Sequence, residues 1–142
     1  MGIREGMVFF YIISNLISNQ ETEGLAAIPI EKEIFETMMN LNSKSVPGLD
    51  GFLGSFYRAS WDMVKDYLIA VIQDFFQGWY LPHVACATTI VLIPKTKNPS
   101  SITHYRPVSL CNFPYKILAS IINSRMSIHL PQWVSMQQHD FV

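Results

Sequence analysis

A short run of β-branched residues with a lysine at its end most constrains how this 142-residue chain folds. Residues 87–93 read Ala-Thr-Thr-Ile-Val-Leu-Ile, which predicts a β-strand that Pro94 limits. Residues 97–101 have the chemistry of a turn, and a second short strand is predicted over residues 106–110. The sequence therefore predicts a β-hairpin that carries Lys95 and Arg106 on facing strands.

Apolar residues at helical spacing dominate the remainder of the chain. They predict helices over residues 3–18, over 29–42, over about 53–77 and over about 113–130, with 19–28 as a linker. Pro29 is expected to open the second helix, Gly78 to end the third and Pro131 to stop the last. The predicted fold class is α+β and helix-rich, with a small antiparallel hairpin packed on several helices. The expected apolar face of the second helix consists of Ile30, Ile34, Met38 and Leu41, and the expected stripe of the third consists of Tyr57, Trp61, Val64, Leu68, Val71 or Ile72, and Phe75. The last helix is indicated by the spacing of Tyr115, Leu118, Ile121, Ile122, Arg125, Met126 and His129.

Charge is scarce and unevenly distributed. Only 15% of the residues are charged, against about a quarter in typical domains, and 49% are hydrophobic. Such a chain is expected to expose apolar surface to a partner or to the rest of a larger protein. Residues 1–90 carry a net charge of −5, whereas residues 91–142 carry +4, which favours an anionic partner for the C-terminal part. The alternative is an ordinary solvated surface.

The cysteines, the histidines and the apolar N-terminus exclude several functional classes. Cys86 and Cys111 have no spacing typical of a metal site and are interpreted as reduced, partly buried thiols of an intracellular protein, with a single disulfide as the alternative. No metal ligands are predicted. The apolar run over residues 7–13 is shorter than the ~20 residues that a membrane span needs, so no membrane partner is expected. Composition does not decide between nucleus and cytoplasm.

Two motifs are candidates for chemistry. Lys95 and Arg106, held on a rigid hairpin, are suited to the phosphates of a nucleoside triphosphate, because Arg offers a planar bidentate fork and Lys a point charge. The alternative is a surface hairpin with two incidental cations. In the turn over residues 47–52, Gly48 and Gly51 would let the backbone approach a strand of nucleic acid. The alternative is a structural turn in which Asp50 caps the following helix.

Several motifs in a fixed order resemble one protein family. Residues 44–52 read Lys-Ser-Val-Pro-Gly-Leu-Asp-Gly-Phe, residues 89–95 read Thr-Ile-Val-Leu-Ile-Pro-Lys, and residues 105–112 read Tyr-Arg-Pro-Val-Ser-Leu-Cys-Asn. Tyr-Lys-Ile-Leu at 115–118, Asn-Ser-Arg-Met at 123–126 and Gln-Gln-His-Asp-Phe-Val at 137–142 follow. In this order they resemble the N-terminal, fingers part of the reverse transcriptase domain of LINE-type (non-LTR) retrotransposons, most closely those of plants. The resemblance covers about residues 25–142, whereas residues 1–24 match poorly and form an extension.

The resemblance implies roles for individual residues. Lys95 and Arg106 would bind the phosphates of the incoming nucleotide. Lys97 would contact a phosphate or the template, and the turn residues Pro47, Gly48, Asp50 and Gly51 would lie along the template RNA or the primer–template duplex. The parent enzymes use two Mg²⁺ ions and deoxynucleoside triphosphates.

The chain also departs from the family. Leu49 stands where a second proline is usual, and Ile30 stands where a polar helix cap is usual. The two palm motifs whose aspartates hold the metals are not found in these 142 residues, so no catalytic or metal-binding residues and no cofactor are assigned. The chain is therefore expected to be a truncated reverse transcriptase fragment, inactive alone, whose apolar surface contacts the missing palm. A non-catalytic nucleic-acid-binding remnant and a helical interaction module are the alternatives.

Overall fold

The computed structural model describes residues 18–133. The helix predicted over residues 3–18 and the tail from residue 134 onward lie outside this range. The chain divides into two compact units, one formed by Pro29–Ile121 and the other, within the described range, by residues 18–28 and 122–133. The boundary predicted after residue 24 stays a prediction.

Helices and a single hairpin make up the described chain. The two strands, β1 and β2, form an antiparallel two-stranded sheet, so the predicted helix-rich α+β class is confirmed. Their bounds are Thr88–Pro94 for β1 and Tyr105–Cys111 for β2, with a 3-10 turn at Ile102–His104. The helices are α1 Asn19–Ala26, α2 Glu31–Asn40, α3 Gly54–Ala59, α4 Trp61–Phe76, α5 His83–Cys86, α6 Phe113–Ser127 and α7 Leu130–Trp133.

The predicted linker over residues 19–28 is wrong, because most of it forms helix α1. Ser18 is the N-cap, and its side chain accepts a hydrogen bond from the backbone N–H of Glu21. The Glu21 carboxylate in turn accepts one from the backbone N–H of Ser18 at 2.7 Å. This capping box satisfies two N–H groups that a helix start leaves unpaired, which explains why a polar segment is helical here.

The single helix predicted over residues 53–77 is two helices that meet at Ser60. The backbone of Ser60 leaves the helical region, with φ −103° and ψ 16°, and separates α3 from α4. Asp50 does not cap α3, because the N-cap residue is Leu53 and no side chain caps it. Gly78, with a φ of +91°, follows α4 as predicted, since glycine reaches this backbone conformation without strain.

The last helix ends at Ser127, earlier than predicted. Pro131 does not stop it but lies inside the short helix α7. Proline is tolerated in a first helical turn because the N–H that it lacks would be unpaired there.

The core of the larger unit contains only part of the predicted stripes. Ile34 and Met38 are fully buried, but Ile30 is 64% exposed because it is the extended N-cap of α2 and leaves the helical periodicity. Phe75 is 38% exposed, which also contradicts its predicted core position. The buried hydrophobic core residues are Ile34, Met38, Tyr57, Leu68, Val71, Ile72, Ala85, Phe113, Ile117, Leu118 and Ile121.

Cys86 and Cys111 are free and partly buried, as predicted. Within residues 18–133, no helix has the length and apolar character required to cross a membrane.

Candidate functional site

The hairpin register places Lys95 and Arg106 on the same face. Ile93 lies directly opposite Arg106, and the backbone N–H of Lys95 donates to the carbonyl of His104 at 2.7 Å, which extends the pairing by one residue. Lys95 is two residues beyond Ile93, and side chains two apart on a strand share a face. Lys95 and Arg106 are therefore diagonal neighbours, which in antiparallel pairs lie about 7–8 Å apart.

The three cations at this end of the hairpin are exposed to solvent. The Lys95 ammonium donates a hydrogen bond to the carbonyl of Thr103 at 3.0 Å, and its other two N–H groups have no acceptor among residues 18–133. Arg106 and Lys97 make no ion pair or side-chain hydrogen bond with any residue between 18 and 133. Lys95, Lys97 and Arg106 are called the hairpin cations below.

The loop between the strands is ordered by its own hydrogen bonds. The backbone N–H of Ser100 donates to Nδ1 of His104 at 3.2 Å, and the Thr103 hydroxyl donates to the Ser101 hydroxyl at 3.1 Å. The backbone N–H of His104 donates to the carbonyl of Ser101 at 3.0 Å. These bonds order the second half of the loop, over residues 100–104, which returns the chain to Arg106.

The other basic residues of the C-terminal part are bound to backbone carbonyls. The Lys116 ammonium donates to the carbonyl of Val46 at 2.6 Å. The Arg125 guanidinium donates to the carbonyls of Leu25 and Ala27. The positive charge predicted for residues 91–142 is therefore available mainly at the hairpin cations. No Asp or Glu occurs between Asp74 and Asp140, so no carboxylate nearby in sequence neutralises them.

The turn over residues 47–52 packs closely on the protein itself. A Cβ added to Gly48 would lie 2.2 Å from Oδ1 of Asn112 and 2.6 Å from the backbone carbon of Cys111. Glycine is therefore required at position 48 by the end of β2. Gly51 differs, because its φ of +72° favours glycine while its Cβ position faces open space.

Asn112 joins three segments of the chain. It is 2% exposed; its Oδ1 accepts a hydrogen bond from the backbone N–H of Asp50 at 3.2 Å, and its Nδ2 donates to the carbonyl of Val84 at 2.6 Å. Because Asn112 directly follows β2, these bonds tie the turn and helix α5 to the base of the hairpin. We call Gly48 and Asn112, with these contacts, the turn lock.

The Asp50 carboxylate is engaged within the turn. Its Oδ1 accepts from the backbone N–H of Phe52 at 3.1 Å, and its Oδ2 accepts from the Tyr57 hydroxyl at 3.2 Å. The Tyr57 ring stacks on Phe113 with centroids 4.8 Å apart. Burial, followed by the Asp50 charge, raises the pKa of Tyr57 well above its ordinary value, so the hydroxyl stays protonated and donates.

The sequence-predicted site residues fall into two groups. The hairpin brings Lys95, Lys97 and Arg106 to one end, whereas Gly48 and Asp50 serve contacts within the protein, and the roles of Pro47, Gly48, Asp50 and Gly51 toward nucleic acid stay predictions. Sequence reasoning missed Asn112 and Lys116 as residues that hold the turn. A polar residue between a strand and a helix was the available signal for Asn112.

Comparison with known proteins relates the chain to a transposon protein. No protein-family model matches the chain. The chain is similar to the transposon TX1 uncharacterized 149 kDa protein of Xenopus laevis, with 27% identity over 123 residues, which cover 87% of this chain. Those residues span 9% of that protein. The similarity indicates that the chain is related to a transposon protein.

Proposed function

We propose that this chain is the fingers part of a reverse transcriptase of a LINE-type retrotransposon and that the hairpin cations bind nucleotide phosphates. The observation that carries the proposal is the shared face of Lys95 and Arg106 at one end of a hairpin with no carboxylate nearby in sequence. The order of the family motifs and the similarity to a transposon protein support it.

The geometry suits a polyphosphate better than a single carboxylate. The Arg106 guanidinium has no side-chain partner within residues 18–133 and offers two parallel N–H groups to one phosphate. The Lys95 backbone lies about 7–8 Å away along the diagonal, so its long side chain would reach a neighbouring phosphate of the same molecule. Because both cations stand on one hairpin whose strands are already paired, the backbone does not have to be ordered when the ligand binds.

The described residues do not fit the two-magnesium centre of the parent enzymes. No group of three His, Cys, Asp or Glu side chains comes together within residues 18–133. We therefore derive no catalytic step for this chain and propose that the 142 residues alone bind nucleotide phosphates without transferring them. Nucleotide incorporation by the purified chain in a primer-extension assay would contradict this part of the proposal.

Template contact is proposed for the exposed side of the turn. The side of Gly48 that lacks a side chain is packed against Asn112, so a nucleic acid strand cannot approach it there. Gly51 faces open space and Phe52 is 45% exposed, so this side is accessible to a template RNA or a primer–template duplex. Trp79 and Tyr80, which are 67% and 99% exposed, supply the apolar surface that a palm domain would cover.

A direct binding measurement tests the hairpin cations. Binding of a deoxynucleoside triphosphate is measured by titration calorimetry for the parent chain, for Lys95→Ala and for Arg106→Ala. Each substitution is expected to weaken binding about tenfold, because each removes one charge-assisted contact worth roughly 1.5 kcal/mol. The matched control is Lys32→Ala, which removes an exposed lysine 3.9 Å from Glu36 and is expected to leave affinity unchanged.

The same hairpin cations also favour a second candidate, a non-catalytic RNA-binding remnant. Binding of single-stranded RNA across a salt series distinguishes it from the first candidate. An RNA-binding remnant would bind RNA with a steep salt dependence that both substitutions reduce, and would not bind the triphosphate. Absence of binding to both ligands would instead favour the helical interaction module.

A further inference from the structure

The two outer edges of the hairpin differ in whether another strand can pair with them. The N–H of Lys95 donates to the carbonyl of His104, and these two residues lie directly opposite each other. This bond shows which opposite residues of the hairpin form hydrogen-bonded pairs and which do not. In antiparallel pairs the hydrogen-bonded residues alternate with residues whose backbone groups point away from the partner. Thr88, Ile90 and Leu92 of β1 therefore direct their N–H and C=O groups to the outer edge.

Pro107 closes the outer edge of β2. It lies opposite Leu92, so it occupies a position whose backbone N–H would point outward, and proline has no N–H. The outer edge of β1 has no proline before Pro94 and no charged side chain from Thr88 to Pro94. Within residues 18–133, no strand other than β2 pairs with β1.

Within residues 18–133, two of the three residues that direct backbone groups to this edge have apolar, exposed side chains. Ile90 is 67% exposed and Leu92 is 47% exposed. Proteins usually protect such edges with lysines, prolines, bulges or a covering element, because an unprotected edge is a template for another strand. Of these protective features, the sequence of β1 contains only a proline, Pro94, at its end. The edge of β1 can therefore accept another strand.

We propose that β1 pairs with β1 of a second copy of this chain, antiparallel and with the twofold axis at Val91. In this register Ile90 lies opposite Leu92 of the second copy, and both residues offer outward backbone groups. The same surface on both copies is thereby self-complementary, as a twofold interface requires. This proposal does not rest on the proposed function.

Electrostatics favours the antiparallel arrangement over the parallel one. Lys95 lies four residues from Val91, so the two copies of Lys95 would be about 26 Å apart at a rise of ~3.3 Å per residue. This exceeds the screening length of about 8 Å at physiological ionic strength. A parallel arrangement would place the hairpin cations of both copies side by side. A strand of seven residues buries less than a standard interface of about 1,600 Å², so the dimer is concentration-dependent.

Two proline variants on opposite edges test the pairing. Leu92→Pro removes an outward N–H from the β1 edge, whereas Ser109→Pro, opposite Ile90, removes an outward N–H from the β2 edge. Analytical ultracentrifugation is expected to show a concentration-dependent dimer for the parent chain and for Ser109→Pro, and at least tenfold weaker association for Leu92→Pro. Circular dichroism confirms that both variants fold. A monomer at every concentration, or equal effects of the two variants, would overturn the proposal.

A crosslink tests the register, in a background with Cys86→Ser and Cys111→Ser. Val91→Cys would face itself across the axis in a non-hydrogen-bonded pair, where Cα atoms lie about 4.5 Å apart, within the range of a disulfide. Ile93→Cys would lie about 13 Å from its own copy. A mild oxidant is expected to give a covalent dimer with Val91→Cys and none with Ile93→Cys. Equal crosslinking of the two variants would overturn the proposal.

Discussion

Replacement of Gly48 by alanine tests the turn lock most sharply. The added methyl group would lie 2.2 Å from Oδ1 of Asn112, 2.5 Å from its backbone nitrogen and 2.6 Å from the backbone carbon of Cys111. Two of these three neighbours are backbone atoms at the junction of β2 and α6. They cannot move aside as a flexible side chain would, so the turn itself must be displaced.

The expected cost follows from two contributions. Overpacking of a tight site costs about 1–3 kcal/mol. Displacement of Oδ1 also lengthens the hydrogen bond from the N–H of Asp50, which is worth about 1 kcal/mol. Together they predict a loss of about 3 kcal/mol, a large part of the 5–15 kcal/mol that typical domains possess.

Urea unfolding followed by circular dichroism measures this loss, with two glycines as matched controls. Gly51→Ala meets open space but keeps a φ of +72°, so it is expected to cost about 1–2 kcal/mol through backbone strain alone. Gly24 lies inside helix α1, and a Cβ added there would have no neighbour within 4 Å. Gly24→Ala is therefore expected to raise the free energy of unfolding by about 0.5–1 kcal/mol. A Gly48→Ala midpoint equal to that of Gly51→Ala would refute the turn lock.

Three further substitutions test the supporting contacts. Arg58→Ala removes the guanidinium that donates to the carbonyls of Met39 and Leu41 at the end of α2, and it is expected to lower the free energy of unfolding by about 2 kcal/mol in urea titrations. Asn112→Ala removes two hydrogen bonds from a buried site and is expected to cost about 2–4 kcal/mol, measured in the same way. The pKa of Glu21 lies below its ordinary 4.5, mainly because its carboxylate accepts a hydrogen bond from the backbone N–H of Ser18, and further because of the side-chain contact with Ser18 and the charge of His129. The capping box therefore stabilises α1 fully above pH 4.5. This contribution is lost as the pH falls through the lowered pKa. The protection factors of the α1 amides, which compare each exchange rate with the intrinsic rate at the same pH, are therefore expected to fall at neutral pH in Glu21→Gln and no longer to decrease on acidification. A decrease on acidification equal to that of the parent chain would contradict this account.

The hairpin was predictable because its determinants are local. A β-branched run, a turn rich in Pro, Ser and Asn, and an Arg-Pro pair specify two strands without help from distant residues. The helical stripe around Ile34 and Met38 was predictable for the same reason. The register, which puts Lys95 and Arg106 on one face, followed only from the paired strands.

The turn lock could not be predicted, because it joins Asp50 to a residue 62 positions away. Local composition showed only that Gly48 and Gly51 belong to a turn, and it suggested the same explanation for the glycine at both positions. The structure separates them, since Gly48 is required by a close approach and Gly51 by its backbone angle. The break at Ser60 was missed because apolar spacing continues across it, although the helix does not.

Cooperation between Lys95 and Arg106 is the central claim, and a double-mutant cycle measures it directly. Affinity for a deoxynucleoside triphosphate is determined for Lys95→Ala, Arg106→Ala and the double variant, and the cycle is repeated with Lys32→Ala in place of Lys95→Ala. If both cations hold one polyphosphate, the first cycle is expected to show a coupling of at least 0.5 kcal/mol and the second none beyond about 0.3 kcal/mol. Additive effects of Lys95→Ala and Arg106→Ala, or no triphosphate binding by the parent chain, would contradict the account.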